Sequence, residues 1–267
     1  MKDITLGRYY PGDSIVHRMD ARFKFFISIA MMIGIFFLTG VLPFAVYAIF
    51  LMVLIILTRI PLKQIFLSLK PILFIIVFAF VINLFSYQGT ELWSLGRLTI
   101  TYEGLYSGLR MAARLSLLII TSSVFLTLTT TPLNVADAME SIMKPLQKIG
   151  FPAHEISMMM SIALRFVPNL MEETDKIMKA QSSRGAKYDT GGVVARARGL
   201  VSILVPLFVS CFRRAEELAI AMEARCYNGA QGRTKLNVMK AVRPDYIMTG
   251  VCLLVLAVVL FLEFVRF

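Results

Sequence analysis

Residues 25–57 read FFISIAMMIGIFFLTGVLPFAVYAIFLMVLIIL, a run without a single charged side chain. As one straight helix it would be about 50 Å long, against a bilayer hydrocarbon core of about 30 Å. Gly40 and Pro43 interrupt it, so the run predicts two spans, roughly 24–39 and 43–58, joined by a tight turn. Further apolar segments at roughly 71–87, 110–130 and 245–264 bring the expected number to about five. The rest of the composition agrees: 57% of the 267 residues are hydrophobic and the mean hydropathy is +0.72. The fold class expected is therefore an all-α membrane protein. It divides into an N-terminal segment with spans one to four (1–130), a polar region (131–244) and a last span (245–267).

The positive charge is distributed unevenly. Of 28 Lys and Arg residues, five lie in 1–24, three in the loop 59–70 and sixteen in 131–244. Only Arg97, Arg110, Arg114 and Arg266 remain for the spans and the other side. Basic loops stay cytoplasmic, which predicts a multi-pass cell-membrane protein with a cytoplasmic N-terminus and an extracellular C-terminus. Arg110 and Arg114, at the start of span four, are placed to snorkel to the interface. A net charge of +11 is thereby accounted for by membrane orientation, and no nucleic-acid-binding motif accompanies it. The first apolar run follows a charged, proline-containing stretch, unlike a cleavable signal. Cys211, Cys226 and Cys252 lack metal-ligand spacing, and His17 and His154 are isolated, so no metal site is expected.

The region 131–244 reads as three helices. The first begins with Thr131 as N-cap and Pro132 in the first turn. It presents Val135, Met139, Ile142, Leu146 and Ile149 on one face, is kinked at Pro145, and closes at Gly150 and Pro152. The second, roughly 154–184, carries a stripe from Ile156 and Met160 through Leu170 and Ile177 to Arg184. The third, roughly 194–227, carries one from Leu204 through Cys211 and Leu218 to Arg225. Pro168 and Pro206 are expected to bend them.

The ends of the two long helices resemble each other. Ala180-Gln181-Ser182-Ser183-Arg184-Gly185 recurs 41 residues later as Ala221-Met222-Glu223-Ala224-Arg225-Cys226. A basic residue at a helix C-terminus ordinarily complements the macrodipole, by about 0.3–1 kcal/mol. Two such ends with small residues around each arginine suggest instead a paired handle, each guanidinium able to enter a groove and pair with a carboxylate. Gly185 and the pair Asn228-Gly229 are the expected left-handed exit residues.

Other features are weaker. Met139, Met143, Met158, Met159 and Met160 either fill an apolar helix interface or form an adaptable surface for membrane partners. Arg165, in a mostly apolar stretch, should have a charge partner, with Asp20 and Glu155 as candidates by type. Asp13, Arg18, Asp20 and Arg22 are expected to pin the N-terminal segment to the cytoplasmic helices by ion pairs. Glu172, Glu173 and Asp175 read as a solvated helix face.

Several stretches resemble the T component of energy-coupling factor transporters: Tyr10–Lys24 (YPGDSIVHRMDARFK), Leu164–Pro168 (LRFVP), Ala180–Gly185, and Arg213–Leu218 (RRAEEL) running into Ala221–Gly229. They occur in family order. That family's signature triplets are usually alanine, arginine and glycine; here they read Ser183-Arg184-Gly185 and Ala224-Arg225-Cys226. The resemblance implies an ATP-driven importer of vitamins or metal ions. In such an importer the T component joins two ABC-type ATPases to a membrane-embedded substrate-binding S component. It implies that the arginine motifs dock into the two ATPases, and that ATP and Mg are bound there, with no cofactor on this chain. The absence of a GxxxxGK[ST] phosphate loop fits a non-catalytic subunit. The alternative is a self-contained permease or channel, but spans 24–58 and 71–87 offer few polar residues beyond Ser28, Thr39 and Asn83. A membrane enzyme would want clustered acids or histidines at one face.

Overall fold

The computed structural model describes residues 9–86, 90–95, 98–186, 192–229 and 241–265. Arg97, Arg266 and four of the basic residues of 131–244 (Lys187, Arg233, Lys235 and Lys240) lie outside them. The chain divides into two compact units, one formed by 1–135 with 238–267 and the other by 136–237.

In the first unit a short helix α1 (Ile15–Arg18) leads into the apolar helices α2 (Ala21–Phe37) and α3 (Val41–Thr58). Gly40, in extended conformation, separates them as the N-cap of α3, so the 25–57 run is two helices. Next come α4 (Leu62–Leu69) and α5 (Leu73–Ser86), bent by 62° at their junction. A hairpin of β1 (Glu91–Leu95) and β2 (Leu98–Thr101) follows, antiparallel, and is the exception to a helical architecture among the described residues. Helix α6 (Tyr102–Ser122) continues into a π-helical turn over Ser123–Thr127, and α10 (Arg243–Val265) completes the unit.

Among the described residues α3, α6 with its π turn, and α10 are long and apolar enough to cross a membrane; the bent pair α4–α5 makes a possible fourth. Helix α2, with 17 residues, is about 26 Å long. The segment 59–70, expected to be a loop, contains α4. Its Leu62, Ile65, Phe66 and Leu69 follow the three-and-four spacing of an amphipathic helix.

The core of this unit is built by α2, α3, α6 and α10, with Met31, Ile35, Tyr47, Leu51, Phe125, Cys252 and Val259 all at most 2% exposed. Close helix approach has a sequence cause. Gly104 and Gly108 are spaced as GxxxG on α6, and a Cβ on them would meet the Leu84 carbonyl at 2.7 Å and the Phe80 carbonyl at 3.1 Å.

Several polar groups buried in this core bond one another. The π turn, closed by Leu128 N–H donating to the Ser123 carbonyl, frees neighbouring carbonyls. The Thr129 hydroxyl donates to those of Val124 and Phe125, and the Thr130 hydroxyl to that of Phe125. Lys24, 1% exposed, completes the arrangement. Its ammonium donates to the Thr129 carbonyl at 2.8 Å, the Thr130 hydroxyl at 3.2 Å and the His17 carbonyl at 3.3 Å. At the α2–α3 turn, Glu263 of α10 accepts from the backbone N–H of Thr39 and of Gly40, both at 3.0 Å, and from the Thr39 hydroxyl.

The N-terminal segment is held differently from the expectation. Its ion pairs are local: Asp13 with Arg18 at 3.7 Å, both exposed, and Asp20 with Arg22 at 2.7 Å. Burial pushes the Asp20 carboxyl up, but hydrogen bonds from Arg22 outweigh it and hold the group below the usual carboxylate range. The anchors to other elements are the Asp20 N–H on Asp245 of α10, the Tyr10 N–H on the Leu128 carbonyl, and Lys24.

Candidate docking site

The second unit is built mainly from α7 (Pro132–Met143), whose first residues belong to the other unit, a 3-10 turn (Lys144–Ile149), α8 (Ala153–Ser183) and α9 (Val193–Ala224). Helix α7 starts where Thr131 accepts from the Asn134 N–H, and ends before Pro145, which removes a donor from the ladder. Gly150, with φ +85°, turns the chain into α8. Glu140 of α7 then accepts from the Ser157 hydroxyl at 2.8 Å and contacts His154 Nδ1 at 3.3 Å, tying α7 to α8. Helices α8 and α9 run through Pro168 and Pro206 as single helices of 31 and 32 residues.

Both long helices end in the same hydrogen-bonded device. In α8 the Gly185 N–H donates to the Ser182 carbonyl at 2.9 Å and the Ala186 N–H to the Gln181 carbonyl at 3.0 Å. In α9 the Cys226 N–H donates to the Glu223 carbonyl at 2.9 Å and the Tyr227 N–H to the Met222 carbonyl at 3.0 Å. This is the Schellman pattern, with an arginine as last helical-side residue and a left-handed residue after it. Gly185 has φ +82° and Cys226 φ +56°. The near-repeat in sequence is therefore a repeat of backbone geometry. The exit of α9 is Cys226 and not the expected Asn228-Gly229, although Gly229 is itself left-handed at φ +69°.

Because backbone amides satisfy end carbonyls on each helix, the guanidinium groups are not required as caps. Arg184 and Arg225 are exposed and have no ion-pair partner among the described residues. Ser183 is exposed with its hydroxyl donating to the Lys179 carbonyl, and Ala224 and Cys226 are exposed beside Arg225. Glu173, expected on a solvated face, accepts from Arg214 at 2.9 Å and so joins α8 to α9. Each partner lies eleven residues before its helix's terminal arginine, about 16 Å of helix. The ion pair thus connects equivalent points of the two repeats.

The remaining candidates separate. Met159 and Met160 are exposed at 57% and 49%, whereas Met139, Met143 and Met158 are half-buried. Arg165 is exposed and makes no ion pair with Glu155 or any other described residue of its unit, so the expected Glu155 pair is not formed; Asp20, the other candidate, is held by Arg22. An exposed guanidinium needs no buried counter-charge.

Comparison with known proteins places these features in a family. The model of the cobalt transport protein family CbiQ matches residues 12–236, which include both arginine ends. A Ruminiclostridium cellulolyticum protein described as energy-coupling factor transporter transmembrane protein EcfT is 48% identical over 267 residues, covering all of both chains. The protein of that description from Thermosediminibacter oceani is 49% identical over 253 residues, covering 94% of this chain and 95% of its own. The one from Bacillus subtilis is 42% identical over 262 residues, covering 98% of each. Nearly full-length identity at this level, over a chain of apolar helices with these paired helix ends, makes the protein a member of the CbiQ/EcfT family of energy-coupling factor transporter transmembrane components.

Proposed function

We propose that this chain is the coupling scaffold of an energy-coupling factor transporter, linking two ABC-type ATPases to a substrate-binding S component for uptake of vitamins or metal ions. The observation that carries the reading is the pair of matching Schellman ends. Each holds an exposed arginine on a rigid helix terminus, and the Glu173–Arg214 pair ties the two helices at equivalent points. A handle of this kind suits two similar sockets, one on each ATPase, where a carboxylate pairs with the guanidinium fork. ATP and Mg are bound by the ATPases. Closure of the ATPases moves the helix tips, and the tie between α8 and α9 passes that movement along both helices.

The same reading places the N-terminus and the second unit in the cytoplasm and the C-terminus outside, on the strength of the Lys/Arg distribution. It also assigns the methionines Met139, Met143, Met158, Met159 and Met160 to the S-component contact, where unbranched thioethers repack against different partners. The charged groups buried in the first unit support a scaffold over a self-contained permease. Lys24 and Glu263 are engaged by backbone and hydroxyl groups of neighbouring elements.

The test is copurification of ATPase subunits and ATPase activity with the tagged chain from its native membrane. Wild type retains both, and the Arg184→Glu, Arg225→Glu double variant loses both while folding normally. Equal retention by the double variant refutes the docking role.

A further inference from the structure

Arg110 and Arg114 lie one turn apart on α6, in an apolar span, and the docking reading gives them nothing to do. Arg114 donates through Nη2 to the carbonyl of Leu38, the C-cap of α2, and its guanidinium stands 6.0 Å from the Phe44 ring. The Arg110 guanidinium lies 4.4 Å above the Tyr106 ring. The Nε of each arginine is buried without a hydrogen-bond partner.

Neither arginine has a carboxylate partner among the described residues. Glu263 is held by Thr39 and Gly40, and Glu103 accepts from the Thr90 N–H at 2.9 Å. Among the described residues the two guanidinium groups therefore share one hydrogen bond and two ring contacts. A ring face offsets part of the charge's desolvation but offers no hydrogen-bond acceptor in the plane of the fork.

The level in the membrane follows from the Leu38 contact. Leu38 opens the turn between two apolar helices, and such a turn sits at the boundary between hydrocarbon and headgroups. Arg114 reaches that turn, and Arg110 lies about 6 Å further along α6 toward its N-terminal end. The surface beside them is apolar and open: Leu105, Leu109, Val41 and Leu42 are 40–62% exposed. A cationic fork at headgroup depth, flanked by exposed aliphatic side chains, matches a ligand with an anionic head and hydrocarbon chains.

We propose that Arg110 and Arg114 form a binding site for the phosphate of an anionic phospholipid, whose acyl chains lie along the apolar surface of α3 and α6. The site is at the turn-bearing end of α2, and its assignment does not depend on ATPase docking.

Native mass spectrometry of the delipidated full-length chain in mild detergent tests this, with phosphatidylglycerol and phosphatidylcholine as probes. Wild type is expected to retain phosphatidylglycerol in preference to phosphatidylcholine, and excess inorganic phosphate should not displace it. Arg110→Gln, which among the described residues loses a ring contact and no hydrogen bond, should weaken retention about fivefold, with a similar further factor for Arg114→Gln. Arg110→Lys should fall between wild type and Arg110→Gln, because an ammonium binds phosphate as a point charge. If Arg114→Gln fails to fold, Arg110→Gln alone decides. Unchanged retention in Arg110→Gln overturns the proposal, as does equal binding of phosphatidylcholine or displacement by inorganic phosphate. So does loss of partner subunits from Arg110→Gln with lipid retention intact, which would assign the pair to a partner's carboxylate.

Discussion

In the first unit Lys24 and Glu263 are 1% and 8% exposed, and each directs its charge at the backbone and hydroxyl groups of neighbouring elements. In the second, Arg184 and Arg225 stand exposed at helix ends whose carbonyls are already bonded by backbone amides. The same chemical type, a charged side chain in a membrane component, therefore does two kinds of work. Where it is enclosed, desolvation makes every missing partner expensive, so it holds the fold together. Where it is exposed, water screens it, it adds little to stability, and it stays available to a partner.

The largest effect expected from this contrast is on stability in the first unit. Lys24→Met leaves the Thr129 carbonyl and Thr130 hydroxyl without their donor and should destabilise the protein by about 3 kcal/mol, read as a lowered thermal midpoint in detergent. A midpoint unchanged from wild type would erase the distinction between the two units.

A smaller effect, of opposite sign, is expected at the tip of α9. Cys226 adopts φ +56°, a left-handed conformation that disfavours any residue with a Cβ. Cys226→Gly should stabilise the helix end by about 1 kcal/mol, slow hydrogen exchange at the Cys226 and Tyr227 amides, and leave ATPase capture intact. Destabilisation would mean that the thiol makes a contact that outweighs the backbone strain.

The smallest effect concerns pH. His17 Nε2 lies 3.0 Å from the Tyr10 carbonyl and Nδ1 2.7 Å from the Ser14 hydroxyl, so the neutral ring fits as donor at one nitrogen and acceptor at the other. Burial lowers the affinity of the imidazole for a proton. With the folded pKa depressed, the stabilisation is complete above the unfolded value of about 6.5 and is lost as the pH falls through the folded pKa. The thermal midpoint of wild type should therefore fall toward that of His17→Gln between about pH 7 and pH 5. A gap that widens on acidification would reverse the assignment.

Much of the architecture was legible because bilayer thickness and helix rise act on composition directly. The break in 25–57 falls at Gly40 and the long polar-region helices end within a few residues of Arg184 and Arg225. Helix α4 was hidden by its length: eight residues flanked by Pro61 and Lys70 fall below the window in which a span registers, although their spacing was amphipathic. The Gly104–Gly108 spacing was also present to be read, but only the approach of α5 shows what it accommodates.

The chain's composition by itself determined that this is a helical membrane protein, and its two similar hexapeptides marked the candidate handle, because hydropathy and local helix-ending signals act over a few residues. Tertiary structure alone decided which charges are enclosed and which are offered. Lys24 meets Thr129 and Thr130 across more than a hundred residues, and Glu263 meets Thr39 and Gly40 across more than two hundred. No local pattern encodes such pairs, since they depend on the packing of helices distant in sequence. The role of Cys226 likewise rests on a backbone dihedral that its identity does not announce, since cysteine, unlike glycine, does not favour positive φ.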